Sequence, residues 1–242
     1  MANAQTAGEA PRQTFTLVWQ LAVLVAVLTL AAATTSPATL MPDSLLAKLF
    51  YLIRFAALLL LATWFLHMRG LSWADVGLRR PRSWLRFALA LPLGYVATVA
   101  AVFAVKTQLA RAGLQDADYS MFAPIRGNLG LYLFFVLPVS WGTAAFGEEM
   151  LLRGFALDAI SRLLGGPGSR FVAPLAVVLQ AAVFGLLHLY QGPGGAAVAG
   201  TIGLMFGLVW LFSGRNLWAG VILHGLFDSM SMTVIYLGLP HG

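Results

Sequence analysis

The sequence predicts an all-α fold, a polytopic membrane helical bundle of about seven transmembrane helices forming a single domain over residues 1–242. Three observations predict it. Hydrophobic residues make up 60% of the chain and charged residues 10%, with mean hydropathy +0.82, whereas a soluble domain is about half apolar and a quarter charged. The apolar residues fall into long runs near the ~20 residues that a spanning helix needs. Turn residues punctuate the runs and leave no stretch large enough for a soluble domain.

The runs cover about 15–33, 46–66, 86–105, 131–150 or beyond, 171–190, 196–212 and 217–237. The first contains Ala31-Ala32-Ala33, a possible signal-peptide site. Its apolar stretch from Phe15 outlasts a signal-peptide core, and Arg12 is offset by Glu9, so it reads as a retained span. Ser36-Pro37 and Pro42-Asp43 break the chain after it.

Between the second and third runs a loop carries Arg69, Arg79, Arg80, Arg82 and Arg86. Concentrated in one loop, these arginines obey the positive-inside rule rather than forming a nucleic-acid face. With the N-terminus inside, ten basic residues (Arg12, those five, Arg153, Arg162, Arg170 and Arg215) face four outside (Lys48, Lys106, Arg111 and Arg126). The expected location is a bacterial inner (plasma) membrane, with the N-terminus cytoplasmic. No cysteine is present, which excludes disulfides and thiol nucleophiles.

The fourth run is too long. Its 34 helix-compatible residues from Leu131 to Leu164 would extend about 51 Å across a hydrocarbon core of about 30 Å. It must tilt and protrude, or break near Pro138. Gly165-Gly166-Pro167-Gly168 and Gly192-Pro193-Gly194-Gly195 punctuate the chain before the fifth and sixth runs. On the sixth, Gly200, Gly203 and Gly207 form a small-residue packing stripe.

In the middle of the fourth run sit two adjacent carboxylates, Glu148 and Glu149. A lipid-facing carboxylate at that depth costs about 2.5–3.5 kcal/mol on insertion scales, which argues for a function. Glu149 and Arg153 are four residues apart on one helical face and suit an ion pair, whereas Glu148 points about 100° away. Phe184 and His188 repeat the four-residue spacing on the fifth run, as do His224 and Asp228 on the seventh. Taken singly, His188 reads as an interfacial histidine and the His224–Asp228 pair as an interhelical hydrogen-bond clamp. Together with Glu148 they supply two acids and two imidazoles on three helices, a set able to hold a divalent metal or to polarise a water.

In order, Glu148-Glu149-Met150-Leu151-Leu152-Arg153 matches EExxxR, Phe184 to His188 matches FxxxH, and His224 to Asp228 matches HxxxN/D. The chain thereby resembles the CPBP family of intramembrane endopeptidases, which includes type II CAAX prenyl proteases and bacteriocin-processing or Abi-like immunity proteins. The resemblance covers roughly residues 130–237, the catalytic core. It implies that Glu148 and His188 activate a water that attacks a peptide bond, with His224 and Asp228 behind the substrate carbonyl. Glu149, Arg153 and Phe184 would be supporting residues. Many relatives have Asn where this chain has Asp228. An ionised carboxylate repels an oxyanion, so Asp228 must be protonated, orient His224 or join Glu148, His188 and His224 around a metal, zinc foremost. The expected partners are the lipid bilayer and a membrane-anchored protein or peptide substrate, with no nucleic acid.

Rival chemistries lack their marks. No HExxH, no Gly-x-Gly-Asp and no Gly-x-Ser-Gly occurs. Two other classes compete: a non-catalytic immunity or scaffold protein of the same fold, which the intact Glu148, His188 and His224 set disfavours, and a proton-coupled transporter, which calls for a repeat the sequence lacks.

Overall fold

The computed structural model describes residues 2–33, 45–166 and 171–239. The expected breaks at Ser36-Pro37 and Pro42-Asp43, the Pro167-Gly168 step and Arg170 lie outside the described residues. Seven helices follow in order: α1 (Ala2–Ala33), α2 (Leu45–Met68), α3 (Trp84–Arg111), α4 (Leu129–Leu163), α5 (Val172–Leu187), α6 (Gly192–Phe212) and α7 (Leu217–Leu237). Five of them are long and apolar enough to cross a membrane, and Thr14–Leu30 and α5 are shorter apolar helices. These seven occupy the seven predicted runs. Side chains such as Phe103, Val96, Ile53, Leu60 and Phe171 face outward. In a bilayer that apolar surface meets lipid, and the chain is an integral membrane protein.

Local chemistry sets the helix ends. Ser83, Asn128 and Asn216 each accept a backbone N–H of the first turn, at the starts of α3, α4 and α7. Gly238, at φ 66°, ends α7 in the left-handed conformation.

The long fourth run does not break. Between short α-helical ends, residues Phe135–Ala156 form a π-helical stretch that contains Pro138, so the expected break at Pro138 is not the solution adopted. At its far end the Leu157 N–H still reaches back to the Leu152 carbonyl, five residues away. Widening the turn suits proline, whose ring collides with the carbonyl four residues back. It also shortens the helix: rise falls from about 2.0 to about 1.5 Å per residue between 3₁₀ and α geometry, and falls further as the turn widens.

The tightest packing joins α5 to α6. A Cβ on Gly185 would stand 2.6 Å from the Ala196 carbonyl oxygen and 3.1 Å from the Gly200 Cα, so the two backbones touch. One on Gly207 would stand 2.5 Å from Val177. The predicted stripe of Gly200, Gly203 and Gly207 is therefore a helix–helix seam. Elsewhere, α7 packs along α4 and α3 along α6.

At the arginine-rich end, Arg69 and Arg162 both contact Asp158, at 3.3 and 2.9 Å. Asn216 donates to the Arg79 carbonyl at 2.7 Å, and the Leu217 N–H donates to the Gly77 carbonyl at 3.0 Å. At the opposite end a 3₁₀ turn, Ser120–Ile125, belongs to the connection between α3 and α4. The Asp118 N–H there donates to the Gln191 carbonyl at 3.0 Å, and Gly194 packs against the backbone of Gln115 and Asp116. The connection thus covers the turn between α5 and α6.

Because Gly185 meets backbone rather than a mobile side chain, Gly185→Ala is expected to force α5 and α6 apart. Overpacking of this kind costs about 1–3 kcal/mol. Thermal unfolding in detergent should show a clear drop, with little change for Gly130→Ala, whose methyl would meet only Asn128 Oδ1 at 3.5 Å.

Candidate active site

Three helices bring the predicted residues together. α4 carries Glu148 and Glu149 near its midpoint, α7 carries His224 and Asp228, and His188 follows the last residue of α5. Taken singly His188 reads as an interfacial histidine, and taken with Glu148 and His224 as part of the site. The helix before it, α5, has only 16 residues, about 24 Å of helix against a hydrocarbon core of about 30 Å. The chain turns back through the 3₁₀ turn Leu189–Gln191 into α6. Irregular backbone at membrane depth is tolerated only against protein or a polar cavity. His188 thereby sits inside the bundle, half-buried.

Glu149 is the centre of the charged cluster. It is fully buried, as is Arg153, and Arg153 Nη1 lies 3.0 Å from Glu149 Oε1. That N–H is not aligned on the carboxylate, so the contact is ionic, while Nη2 donates to the Gly203 carbonyl at 3.1 Å. The predicted i,i+4 pair therefore forms. It lies in the core, so Arg153 no longer counts among the charges expected on the cytoplasmic side, and that expected bias falls from ten against four to nine against four. The same Oε1 stands 3.2 Å from His224 Nδ1, and His224 Nε2 faces Asp228 Oδ2 at 3.5 Å. Arg153, Glu149, His224 and Asp228 form one chain of alternating charge types, running from the core towards Asp228, whose side chain is 28% exposed.

Glu148 takes no part in this chain of contacts. It is half-buried, has no hydrogen-bond partner among the described residues, and lies within electrostatic reach of His224, Asp228, Arg153 and Glu149. His188 Nδ1 donates to the Phe184 carbonyl at 2.8 Å; a carbonyl can only accept, which assigns the N–H to Nδ1 and the lone pair of the neutral ring to Nε2. Phe184 is the aromatic hub, with its ring centroid 4.6 Å from His188, 6.4 Å from His224 and 4.9 Å from the Arg153 guanidinium. Phe206 closes the other side, 5.1 Å from His224 and 5.7 Å from Arg153.

Sequence reasoning missed two tyrosines. Tyr190, two residues after His188, and Tyr51 on α2 both lie within electrostatic reach of Glu148 and Asp228. Tyr51 hydrogen-bonds Thr143 on α4 at 3.4 Å, and Gln191 donates to the Tyr190 hydroxyl at 3.1 Å. The nearness of Tyr190 to the FxxxH segment was a usable signal; no pattern in the sequence points to Tyr51.

A metal held by Glu148, His188, His224 and Asp228 would require these side chains to regroup from this arrangement. Both nitrogens of His224 face carboxylates, and among the described residues no three His, Asp or Glu side chains converge as metal ligands.

A buried ion pair is most costly when one member is removed, by about 3–5 kcal/mol. Arg153→Met and Glu149→Gln should therefore lower membrane expression and melting temperature, whereas Glu148→Gln should not, because Glu148 has no such partner. Wild-type stability of Arg153→Met would contradict the pairing.

Residues 130–230 match the family described as Rce1-like, type II CAAX prenyl endopeptidase. The match runs from the start of α4 into the second half of α7 and includes all three motifs, with Tyr51 on α2 outside it. No curated protein and no solved structure matches the chain. The match to the Rce1-like family over this part of the chain supports the CPBP membership that the three motifs implied.

Proposed function

We propose that this protein is an intramembrane endopeptidase that hydrolyses a peptide bond near the membrane face of a membrane-tethered, lipid-modified or C-terminally anchored protein. The observation that carries the reading is the contrast between the two glutamates. Glu149 is consumed by Arg153 and His224, while its neighbour Glu148 keeps a carboxylate without a partner among the described residues, within electrostatic reach of the His224 imidazole. A structural role would need only the first; a general base needs the second.

In the proposed reaction Glu148, with the Nε2 lone pair of His188, takes a proton from a water. The water oxygen attacks the carbonyl carbon, and the resulting oxyanion lies against His224 and Asp228. Collapse breaks the C–N bond, and the proton held by Glu148 passes to the leaving nitrogen. The His224–Asp228 pair stabilises the oxyanion only while a proton lies between them and the oxygen. Glu149 and Arg153 hold His224 in place. Orientation follows the nine-against-four charge bias, with the arginine-rich end on the cytoplasmic side.

Glu148→Gln and His188→Ala are expected to lower cleavage by at least ~10²-fold while both proteins accumulate in membranes, since a positioned base contributes about that much. The readout is the membrane proteome of cells carrying each variant, searched for an uncut C-terminal peptide. Normal processing by Glu148→Gln would remove the proposal.

Asp228 separates two mechanisms. Asn at this position keeps an oxygen facing His224 and adds a donor for the oxyanion, so Asp228→Asn should retain cleavage, Asp228→Ala should lose it, and phenanthroline should have no effect on the purified protein. Inhibition by the chelator with recovery on adding zinc would mean that the four side chains regroup around an ion, and would overturn this water-activation scheme.

A further inference from the structure

A second polar site lies at the arginine-rich end, beyond the C-terminal turns of α4 and separate from Glu148 and the histidines. It is a cavity of about 270 Å³ whose lining includes Arg79, Arg82, Arg162, Arg215, Asp158 and Trp210. A single water needs only about 10–15 Å³, so a much larger group fits.

The chemistry of the wall selects an anion. Four guanidinium groups face two carboxylates, Asp75 and Asp158. Asp158 is already shared between Arg162 and Arg69. Asp75 accepts the Ser72 backbone N–H at 2.8 Å and its hydroxyl at 2.6 Å, bonds that hold its carboxyl below the usual range. Positive charge is therefore in excess.

The second observation is Trp210. Its residue is 6% exposed, it lines the cavity, and its indole Nε1 has no hydrogen-bond partner among the described residues. Indole nitrogen is only a donor, so whatever satisfies it must bring an acceptor. A buried donor left unmatched costs about 1–3 kcal/mol. The turn after α6 fixes the geometry around this ring. Arg215 adopts φ 61°, its N–H donates to the Trp210 carbonyl at 2.7 Å, and its guanidinium lies 5.7 Å from the Trp210 ring. Against it packs Gly77, where a Cβ would stand 2.7 Å from the Arg215 carbonyl oxygen and 3.4 Å from the Trp210 Nε1. Gly77, at φ 118°, leaves that side of the indole uncovered.

A ligand with excess negative charge and several acceptor oxygens, placed where helices end at the membrane face, is a phosphate. Planar guanidinium forks suit its oxygens, and anionic headgroups lie at this depth. We propose that this cavity binds the phosphate of an anionic phospholipid headgroup, with Arg79, Arg82 and the Trp210 Nε1 as its donors.

The test uses the full-length protein in neutral detergent, with lipid binding read by native mass spectrometry and by thermal unfolding. Phosphatidylglycerol should bind and raise the melting temperature, and phosphatidylcholine should do so much less. Trp210→Phe, which removes one donor and keeps the ring, should weaken binding several-fold, and the Arg79→Gln/Arg82→Gln double variant by about tenfold or more. Arg86→Gln, in the first turn of α3 and outside the cavity lining, should bind like wild type. Inorganic phosphate giving the same Trp210-dependent shift would identify a soluble phosphate ligand and overturn the lipid assignment. Wild-type binding by both the Trp210 and the double variant, or equal loss in Arg86→Gln, would overturn the site altogether, the second by reducing the effect to diffuse surface charge.

Discussion

The fully buried Glu149–Arg153 pair is the interaction on which the rest of the site depends. Neither charge could lie at this depth alone. Arg153 spans three elements, contacting Glu149 on its own helix, the Gly203 carbonyl of α6 and the Phe184 ring of α5. Glu149 in turn reaches His224 on α7. One arginine thereby connects the helices that carry the proposed chemistry, and the glycine seam between α5 and α6 is what lets it reach them.

The pair also explains why two adjacent glutamates are present. In a low-dielectric interior each carboxylate needs its own compensation, and one guanidinium serves one of them. The helical rotation between neighbours then turns Glu148 out of the ion pair into a half-buried position. A structural carboxylate and a chemically available one thus arise from consecutive residues.

Membrane depth is managed by backbone geometry as much as by side chains. The π-helical stretch compresses a run too long for the bilayer and accommodates Pro138. The short α5 ends early, and His188 at the turn after it is half-buried against the bundle. Both devices concentrate irregular backbone around Glu148, where protein can satisfy it, and the connection over Gly194 and Gln191 closes the remaining face.

Composition and run length by themselves determined the helical membrane bundle, because only a helix satisfies its own backbone in lipid and its length must match the bilayer. The four-residue spacings of Glu149 with Arg153, Phe184 with His188, and His224 with Asp228 were equally legible, since helical periodicity alone puts such pairs on one face. Tertiary structure decided what spacing cannot encode. It joined Glu149 to His224 across 75 residues, brought Tyr51 from α2 towards Glu148, and set His188 half-buried on the turn after α5. It also built the cavity around Trp210 from the loop after α2, the C-terminal turns of α4, and the end of α6 with the turn that follows it. Those relations rest on which helix faces meet, and that is set by packing of small residues and buried charge across the whole bundle, with no local signature in any one segment.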